Sequence, residues 1–252
     1  MLSQQHLFEI VVRLADDHLI LGHRLSEWCG HAPMLEEDLS MPNIALDLIG
    51  QARVLYAYAS VVENKGRTED DIAFLRLEKE YRNVLMVERP NGDFGHTMMR
   101  QYLFSSFMLL FWEKTQNSQD ETLAAIAGKA VKESQYHVRH SAEWIIRLGD
   151  GTDDSHTRMV AANDALCPYI GELFEVDSVT EAGIAAGIIP NAANLREQWT
   201  AEMQAVSKQA TLVPTLDHLP QSGGRAGEHT EDMGFLLAQL QFMQRTYPNM
   251  SW

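Results

Sequence analysis

The stretch KESQYHVRHSAEW (residues 132–144) carries four potential metal ligands, each about one helical turn from the next. They are Glu133, His137, His140 and Glu143. Residues three or four apart share one face of an α-helix, so the pattern predicts a helix that presents these groups together. Helices that bind paired metal ions use the motif Glu-x-x-His, but here Ser134 stands where that motif has Glu. The stretch has the spacing of a metal-binding helix without its full ligand set.

Helical periodicity extends outward from this stretch over almost the whole chain, and no strand-like alternation competes with it. Each helix carries one seam of apolar residues repeating every three or four positions. We predict four long helices, at about 4–28, 35–63, 94–114 and 121–148. Pro42 predicts a kink or a later start of the second helix. Shorter helices are predicted within residues 156–174, 191–210 and 233–247.

The connections between the long helices predict the topology. The first and third connections are short, whereas about thirty residues, with a short helical segment within 70–85, separate the second helix from the third. A long crossover makes the second and third helices parallel, as in ferritin-like four-helix bundles. We therefore predict an all-α, ferritin-like bundle with additional C-terminal helices, in one domain over residues 1–252. The core bundle should cover about 4–149 and the accessory helices about 154–252.

The seams predict a polar level inside this bundle. Counted from turns near Pro33 and Asp120, the polar interruptions of the seams meet at one height in each hairpin, where a di-iron protein of this topology binds its metals. The residues at or beside this height are His18, Leu48, Gln51, Gln101, Ser105, Ser134, His137 and Ser141. A di-iron centre needs about four carboxylates and two histidines. Because no carboxylate occupies the level, we predict no metal, no cofactor and no catalytic residue in this chain.

Three carboxylates lie one position beside the seams and keep an alternative open: Asp17, Asp47 and Glu133. Small helix rotations would bring them inward, and Glu133 with His137 would then form a two-ligand clip. A shift of one residue, however, turns a side chain by about 100° around the helix axis, so the apolar seams would leave the core. We favour a layer of Ser, Gln and His side chains that hydrogen-bond one another, with the carboxylates at its edge.

The composition excludes several classes of protein. The formal charge of −15, with only 20 Lys and Arg, argues against binding to nucleic acid or to an anionic membrane. No apolar run approaches the ~18 residues of a membrane span, and the N-terminal stretch is too charged for a signal peptide. The two cysteines, Cys29 and Cys167, form no metal-binding or disulfide-rich pattern. We therefore expect a cytoplasmic protein.

Two other groups of polar residues have simple structural interpretations. His218 and His229, with the acidic residues of GEHTED (residues 227–232), are predicted to belong to a loop that caps the last helix, with Thr230 or His229 near the N-cap. The second group is predicted to be scattered surface charge: Arg24, Arg53, Arg100, Lys129, Lys132 and Arg139.

Five stretches of the chain closely resemble one family. They are RLSEWCGHAP (24–33), ALDLIGQAR (45–53), ERPNGDFG (88–95), KESQYHVRHSAEWIIRLGDGTD (132–153) and AGEHTEDMG (226–234). The family is the structural, non-catalytic subunit of bacterial ring 1,2-phenylacetyl-CoA epoxidase, a multicomponent monooxygenase of phenylacetate degradation. The resemblance extends over essentially the whole chain.

The resemblance implies a ferritin-like fold and a hetero-oligomer with a homologous catalytic subunit that carries the di-iron centre. The complex would epoxidise the aromatic ring of phenylacetyl-CoA with O₂ and NADPH, and a reductase would supply the electrons. At the positions that match the ligands of the catalytic subunit, only His137 keeps a ligand type, and His18 replaces a carboxylate. The resemblance thus implies a chain that supports its partner without chemistry of its own, and it leaves a homodimer of the isolated chain open.

Two other functions also remain open. One is an oxidase that binds iron itself, through His18, His137, Glu133, Asp47 and Asp17. The other is a helical bundle that binds an acyl-CoA in a polar-lined core.

Overall fold

The structure is a computed structural model that describes residues 2–213, 219–248 and 250. These residues form α-helices, short 3-10 helices and loops, and no strand occurs among them. The α-helices are α1 (Gln4–Ser26), α2 (Leu35–Glu63), α3 (Glu69–Phe74), α4 (Leu85–Glu88), α5 (Phe94–Thr115), α6 (Glu121–Gly149), α7 (Asp153–Leu166), α8 (Ser178–Ala185), α9 (Arg196–Gln209), α10 (Glu231–Leu240) and α11 (Phe242–Thr246). The predicted all-α fold class and the helix order of a ferritin-like protein are confirmed.

The four long predicted helices correspond to α1, α2, α5 and α6. The first turn of three of them is fixed by a side chain that accepts a hydrogen bond from a backbone N–H. Ser3 accepts from His6, Asp93 from His96 and Asp120 from Leu123, at 3.1, 2.8 and 2.8 Å. These caps explain why the predicted starts of those helices lie close to the observed ones.

Pro42 lies inside α2, which begins seven residues earlier at Leu35. The predicted bounds of this helix, 35–63, are therefore confirmed, and the alternative of a later start at Pro42 is wrong. Proline has no N–H and leaves the carbonyl of Asp38 without its usual helical donor. The buried side chains of Met41 and Ile44, on either side of the proline, hold this part of α2 in the core.

The Cα positions divide the chain into two compact units. The N/C unit comprises residues 2–90 and 223–252 and contains α1 to α4, α10 and α11. The central unit comprises residues 91–222 and contains α5 to α9. Each unit therefore holds one of the two long helix hairpins. A single domain over residues 1–252, with a core over 4–149 and accessory helices over 154–252, stays a prediction.

In the N/C unit, α1 and α2 form an antiparallel hairpin. The side-chain amide of Gln4, at the start of α1, donates to the carbonyl of Val62, near the end of α2. The helices approach closely at Gly22, where a Cβ atom would lie 2.9 Å from Ile49 Cγ1 and 3.2 Å from the carbonyl of Ala45. Glycine is therefore required at this crossing for a steric reason.

In the central unit, α5 and α6 form the second hairpin, and α7 and α9 pack against it. The Nε1–H of Trp199, on α9, donates to Ser106 Oγ of α5 at 2.8 Å. The ring of Phe174 contacts the rings of Phe107 and Trp199, with centroids 5.3 and 5.4 Å away. The predicted accessory helices in 156–174 and 191–210 are confirmed as α7 and α9, whereas α8 was not predicted. The single helix predicted over 233–247 is wrong in detail, because α10 ends at Leu240 and α11 begins at Phe242.

Candidate functional site

The hairpin of the N/C unit buries the three residues that the sequence places at the polar level. His18, Leu48 and Gln51 are all buried. A Cβ on Gly22, one turn after His18, would lie 3.3 Å from Leu48 Cβ, so antiparallel packing puts Gln51 at the height of His18. His18 Nδ1 lies 2.6 Å from the carbonyl oxygen of Leu14. Because that oxygen only accepts, Nδ1 of His18 is the donor.

The hairpin of the central unit buries the other half of the predicted level: Gln101, Ser105, Ser134, His137 and Ser141. The rings of Phe94 and Trp144 meet edge to face at 5.0 Å between centroids, which fixes the register of α5 against α6. Seven residues inward, this register puts Gln101 at the height of His137. The Gln101 amide donates to Ser105 Oγ at 2.7 Å, as expected for a hydrogen-bonded polar layer.

Two of the three flanking carboxylates, Asp17 and Glu133, have basic partners. Asp17 is buried and receives hydrogen bonds from Arg225 Nη2 at 2.8 Å and Nη1 at 3.1 Å, and from the backbone N–H of Val84 at 2.8 Å. Burial raises the pKa of Asp17, although the charge of Arg225 opposes that change. Asp47 is half-buried on α2. Glu133 on α6 lies 3.4 Å from Lys129 Nζ.

Besides Glu37, two further buried carboxylates of the N/C unit were not predicted from the sequence, and both have basic partners. The first is Asp16, which forms a salt bridge with Arg76 and accepts hydrogen bonds from Tyr56 Oη and the backbone N–H of Arg82. Burial, and then the charge of Asp16, hold the pKa of Tyr56 well above its ordinary value, so the phenol stays a donor. The adjacent acids Asp16 and Asp17, in the middle of α1 beside its apolar seam, were the available signal, since buried charges need partners.

The second is Glu88, which lies fully buried at the end of α4. Its Oε2 lies 2.7 Å from His229 Nδ1 and 2.8 Å from Asn83 Nδ2, and its Oε1 accepts from the backbone N–H of Thr230 at 2.6 Å. Burial lowers the pKa of His229, but the hydrogen bond and the charge of Glu88 outweigh burial and raise it above 6.5 overall. His229 therefore offsets the charge of the buried Glu88, as Arg76 offsets that of Asp16.

These donor sets do not fit a di-iron centre. Such a centre needs oxygen anions to offset the charge of the metal, and both halves of the predicted level consist of amides, hydroxyls, imidazoles and one aliphatic side chain. Three of the four buried acids in the described N/C unit, Asp16, Asp17 and Glu88, are paired with Arg76, Arg225 and His229. Within the described ranges, no three His, Cys, Asp or Glu side chains are grouped so that they could hold a metal ion.

The predicted C-terminal polar cluster lies at the start of α10, where the N-cap residue makes no side-chain capping hydrogen bond. Thr230 is the N-cap residue of α10, as predicted. Asp232 of the first turn forms a salt bridge with Arg89 at 2.7 Å, and His229 binds Glu88 as described above. His218 lies outside the described residues.

The prediction of scattered surface charge is wrong for two arginines. Arg24 is buried and donates to the backbone carbonyl of Glu88 at 2.8 and 3.0 Å. Arg100 is fully buried on α5 and donates to Asn91 Oδ1 at 2.5 Å. The aliphatic part of each arginine side chain packs in the core, while its guanidinium group donates to an oxygen atom. The other four basic residues are exposed or half-buried, as surface charge should be: Arg53, Lys129, Lys132 and Arg139.

The cavities described in the two units are small. One, of about 110 Å³, lies in the N/C unit beside Tyr56 and Phe74, and one of about 80 Å³ lies in the central unit beside Trp199. Pockets that bury a drug-sized ligand measure about 300–1,000 Å³. A larger hollow of about 580 Å³ is an open groove along α9, lined by residues that include Arg196 and Thr200. Across the described part of the chain, no helix is both long enough and apolar enough to cross a membrane.

Two comparisons with known proteins give matches over nearly the whole chain. Residues 2–252 match the family described as phenylacetic acid catabolic protein. The chain is 43% identical, over 241 residues, to a protein of Escherichia coli (strain K12) that is named as one of the subunits of 1,2-phenylacetyl-CoA epoxidase. The match covers 96% of this chain and 97% of the relative.

Proposed function

The chain belongs to the phenylacetic acid catabolic protein family, and on that premise we propose that it is a non-catalytic structural subunit of a multicomponent phenylacetyl-CoA 1,2-epoxidase. It would act in aerobic phenylacetate degradation in the cytoplasm. The relative named as a subunit of this epoxidase matches over nearly the full length of both chains, which supports assignment to the same complex.

The observation that carries the non-catalytic role is the chemistry of the buried polar groups. The level at which a ferritin-like di-iron protein places its ligands has neutral side chains in both hairpins, and the nearest buried acid, Asp17, is held by Arg225. Iron at this level would lack the anions that offset its charge. The proposed role is therefore mechanical: the chain holds a homologous di-iron subunit in its active shape through a large helical interface, as obligate complexes do.

The di-iron group and the reaction belong, in this proposal, to the homologous partner. No residue of this chain is assigned a step in the oxygenation. In the absence of that partner the chain would associate with itself, because a surface that evolved for a permanent contact is left uncovered.

The direct test is co-expression of the catalytic subunit with and without this chain. We expect the soluble yield of the catalytic subunit and its epoxidation of phenylacetyl-CoA to fall at least about tenfold without this chain. Unchanged yield and unchanged activity would overturn the proposal.

The competing oxidase is tested by metal analysis of this chain alone, purified from iron-supplemented medium. The proposal expects far less than one iron per chain. Stoichiometric iron that is lost in both His18→Ala and His137→Ala would establish the oxidase instead.

A further inference from the structure

Residues 228–232 attach the start of α10 to the end of α4, and we call this segment the latch. Two of its members bind the carboxylate of Glu88. His229 Nδ1 lies 2.7 Å from Glu88 Oε2, and the backbone N–H of Thr230 donates to Glu88 Oε1 at 2.6 Å. The side chains of His229 and Glu88 are both fully buried. The attachment of the latch therefore depends on a carboxylate that water does not reach.

The number of protons on this pair follows from its partners. His229 Nε2 lies 3.2 Å from the carbonyl oxygen of Tyr81, which can only accept a hydrogen bond. Glu88 already accepts from Asn83 Nδ2 and from the N–H of Thr230. Both ring nitrogens of His229 thus face acceptors, so the two contacts need a proton on each nitrogen. The pair holds one proton more than a neutral imidazole beside a carboxylate, wherever that proton lies between the two groups.

The charges that face His229 stabilise its protonated form. Burial lowers the pKa of His229, but the hydrogen bond and the charge of Glu88 on α4, and then the charge of Asp16 on α1, raise it above 6.5 overall. Arg24 of α1 donates to the backbone carbonyl of Glu88. Within the described chain, His229 is the only basic side chain in a salt bridge with Glu88. Loss of the proton would leave Glu88 as a buried carboxylate without a cation, which is strongly unfavourable.

The chain is held independently on both sides of the latch. Before the latch, Arg225 donates to both carboxylate oxygens of Asp17, and an arginine keeps its charge as the pH rises. After the latch, the side chains of Met233, Leu236 and Leu237 on α10 are buried. Neither contact depends on the proton of the histidine. The latch can therefore open locally, because parts of a fold open with free energies below that of global unfolding.

The first turn of α10 has few other contacts that fix it. Its N-cap residue, Thr230, makes no side-chain capping hydrogen bond, although such a bond normally satisfies one of the free N–H groups at a helix start. The salt bridge between Asp232 and Arg89 is partly exposed, and exposed pairs contribute little to stability. The buried contacts of His229 and Thr230 with Glu88 therefore provide most of the attachment.

We propose that the latch is a pH-sensitive switch in the N/C unit: it is closed while His229 and Glu88 hold their shared proton and opens when that proton is lost. The contacts of Arg225 and of the apolar side chains of α10 stay in place. The closed latch binds the proton more tightly than the open latch. Closure is therefore favoured fully below about pH 6.5, and this preference is lost as the pH rises through the raised pKa of His229. Opening gives the carboxylate of Glu88 access to water, which removes the cost of burying it unpaired.

Amide hydrogen exchange of the full chain tests the proposal at two matched N–H groups. Thr230 donates to Glu88 at 2.6 Å, and Arg82 donates to Asp16 at 2.7 Å. Both carboxylates are buried, but the first is paired with a histidine and the second with an arginine. Between pH 6 and pH 9 the protection of the Thr230 amide, corrected for the intrinsic exchange rate, should fall at least about threefold. The protection of the Arg82 amide should stay constant, because the arginine does not titrate in this range.

Substitution of the histidine separates the switch from other effects of pH. In His229→Gln the titrating group is absent, so the pH dependence of the Thr230 amide should disappear. The matched control is His156→Gln, since the ring of His156 binds the backbone carbonyl of Gly149 at 2.7 Å, and this variant should keep the fall in protection. If His229→Gln does not fold, Glu88→Gln removes the acid of the same pair and should also abolish the pH dependence.

Three results would overturn the proposal. The first is an equal loss of protection at Thr230 and Arg82, because the whole unit would then open together. The second is the same protection of Thr230 at both pH values, and the third is an undiminished fall in His229→Gln. The measurement needs no partner protein, so its outcome is independent of the proposed support of a catalytic subunit.

Discussion

Asp17 lies on α1, one position before His18 of the polar level, and is buried. Here its two oxygens bind the guanidinium of Arg225 and the N–H of Val84. Asp16 and Glu88 are bound in the same manner by Arg76 and His229. At the scale of single residues, the N/C unit thus neutralises these three buried acids with its own basic side chains. A charge-assisted hydrogen bond of this kind is about twice as strong as a neutral one.

The two buried histidines of the polar level give a first prediction. His18→Gln and His137→Gln keep a hydrogen-bonding group of similar size, so we expect the complex with the catalytic subunit to retain its epoxidation rate within about twofold and each variant to lose no more than about 1–2 kcal/mol of stability. Steady-state turnover and urea unfolding measure the two effects. A loss of rate of about a hundredfold or more in either variant, with folding intact, would assign chemistry to this chain.

The pair of His229 and Glu88 gives a second prediction, which concerns pH. Because the pKa of His229 is raised on folding above its ordinary value of 6.5, the folded state binds the proton more tightly than the unfolded state. The stabilisation is therefore fully present below about pH 6.5 and is lost as the pH rises through the raised value. We expect the stability difference between the natural chain and His229→Gln to be larger at about pH 6 than at about pH 9, measured by urea unfolding. A difference that grows with pH would contradict the assignment.

The residues of the polar level could be predicted from the sequence because they lie on helix seams, where a period of about 3.6 residues decides what is buried. The partners of the buried acids could not. Arg225 and Asp17 are 208 positions apart, and no local pattern relates them. Arg24 and Arg100 were assigned to the surface for the same reason, since charge alone does not indicate where a long side chain ends.

The helix pair α1 and α2 gives a third prediction, at the scale of elements, through its two contrasting glycines. A methyl group at Gly22 would collide with Ile49 and with the backbone at Ala45, so Gly22→Ala should destabilise the chain by about 1–3 kcal/mol. Gly50→Ala, at an open position of α2, meets no neighbour within 4 Å and should stabilise the chain by up to about 1 kcal/mol. Thermal unfolding at low protein concentration compares them. If the two substitutions change stability equally, the close approach at Gly22 does not contribute to the stability of the chain.

The elements themselves were largely predictable, because long amphipathic periods and capping residues are local. α8 was missed, although Asp177 and Thr180 form a capping box at its start. Its eight residues are too few for a seam to show. The break at Gln241 was missed because an apolar period continues across it, while the Gln241 side chain donates to the carbonyl of Arg76 and to Tyr81 Oη in the interior of the N/C unit.

At the scale of the whole molecule, the N/C unit is assembled from two distant segments of the chain. The salt bridge between Arg225 and Asp17 connects these two segments. Arg225→Met removes one partner of a largely buried pair, and we expect a loss of about 2–4 kcal/mol. Arg158→Met is the control, because its salt bridges with Asp154 and Asp93 are exposed and should leave the unfolding transition unchanged. Addition of Asp17→Asn to Arg225→Met should recover part of the loss, since no unpaired charge then remains buried.

If Arg225→Met instead unfolds no more readily than Arg158→Met, the C-terminal segment is dispensable for the N/C unit. A double-mutant cycle with Asp17 separates the pair from the packing of the arginine stem.

The discontinuity of the N/C unit also sets an order of events during synthesis. α1 and α2 leave the ribosome early, but the arginine and histidine that neutralise Asp17 and Glu88 follow more than a hundred residues later, after the whole central unit. At about 5–20 residues per second, the nascent hairpin waits roughly 10–30 s with those acids unmatched. The first ninety residues can therefore reach their final state only once the last thirty have been made, and a ribosome that stalls near residue 220 would hold an unfinished hairpin open to chaperones and proteases.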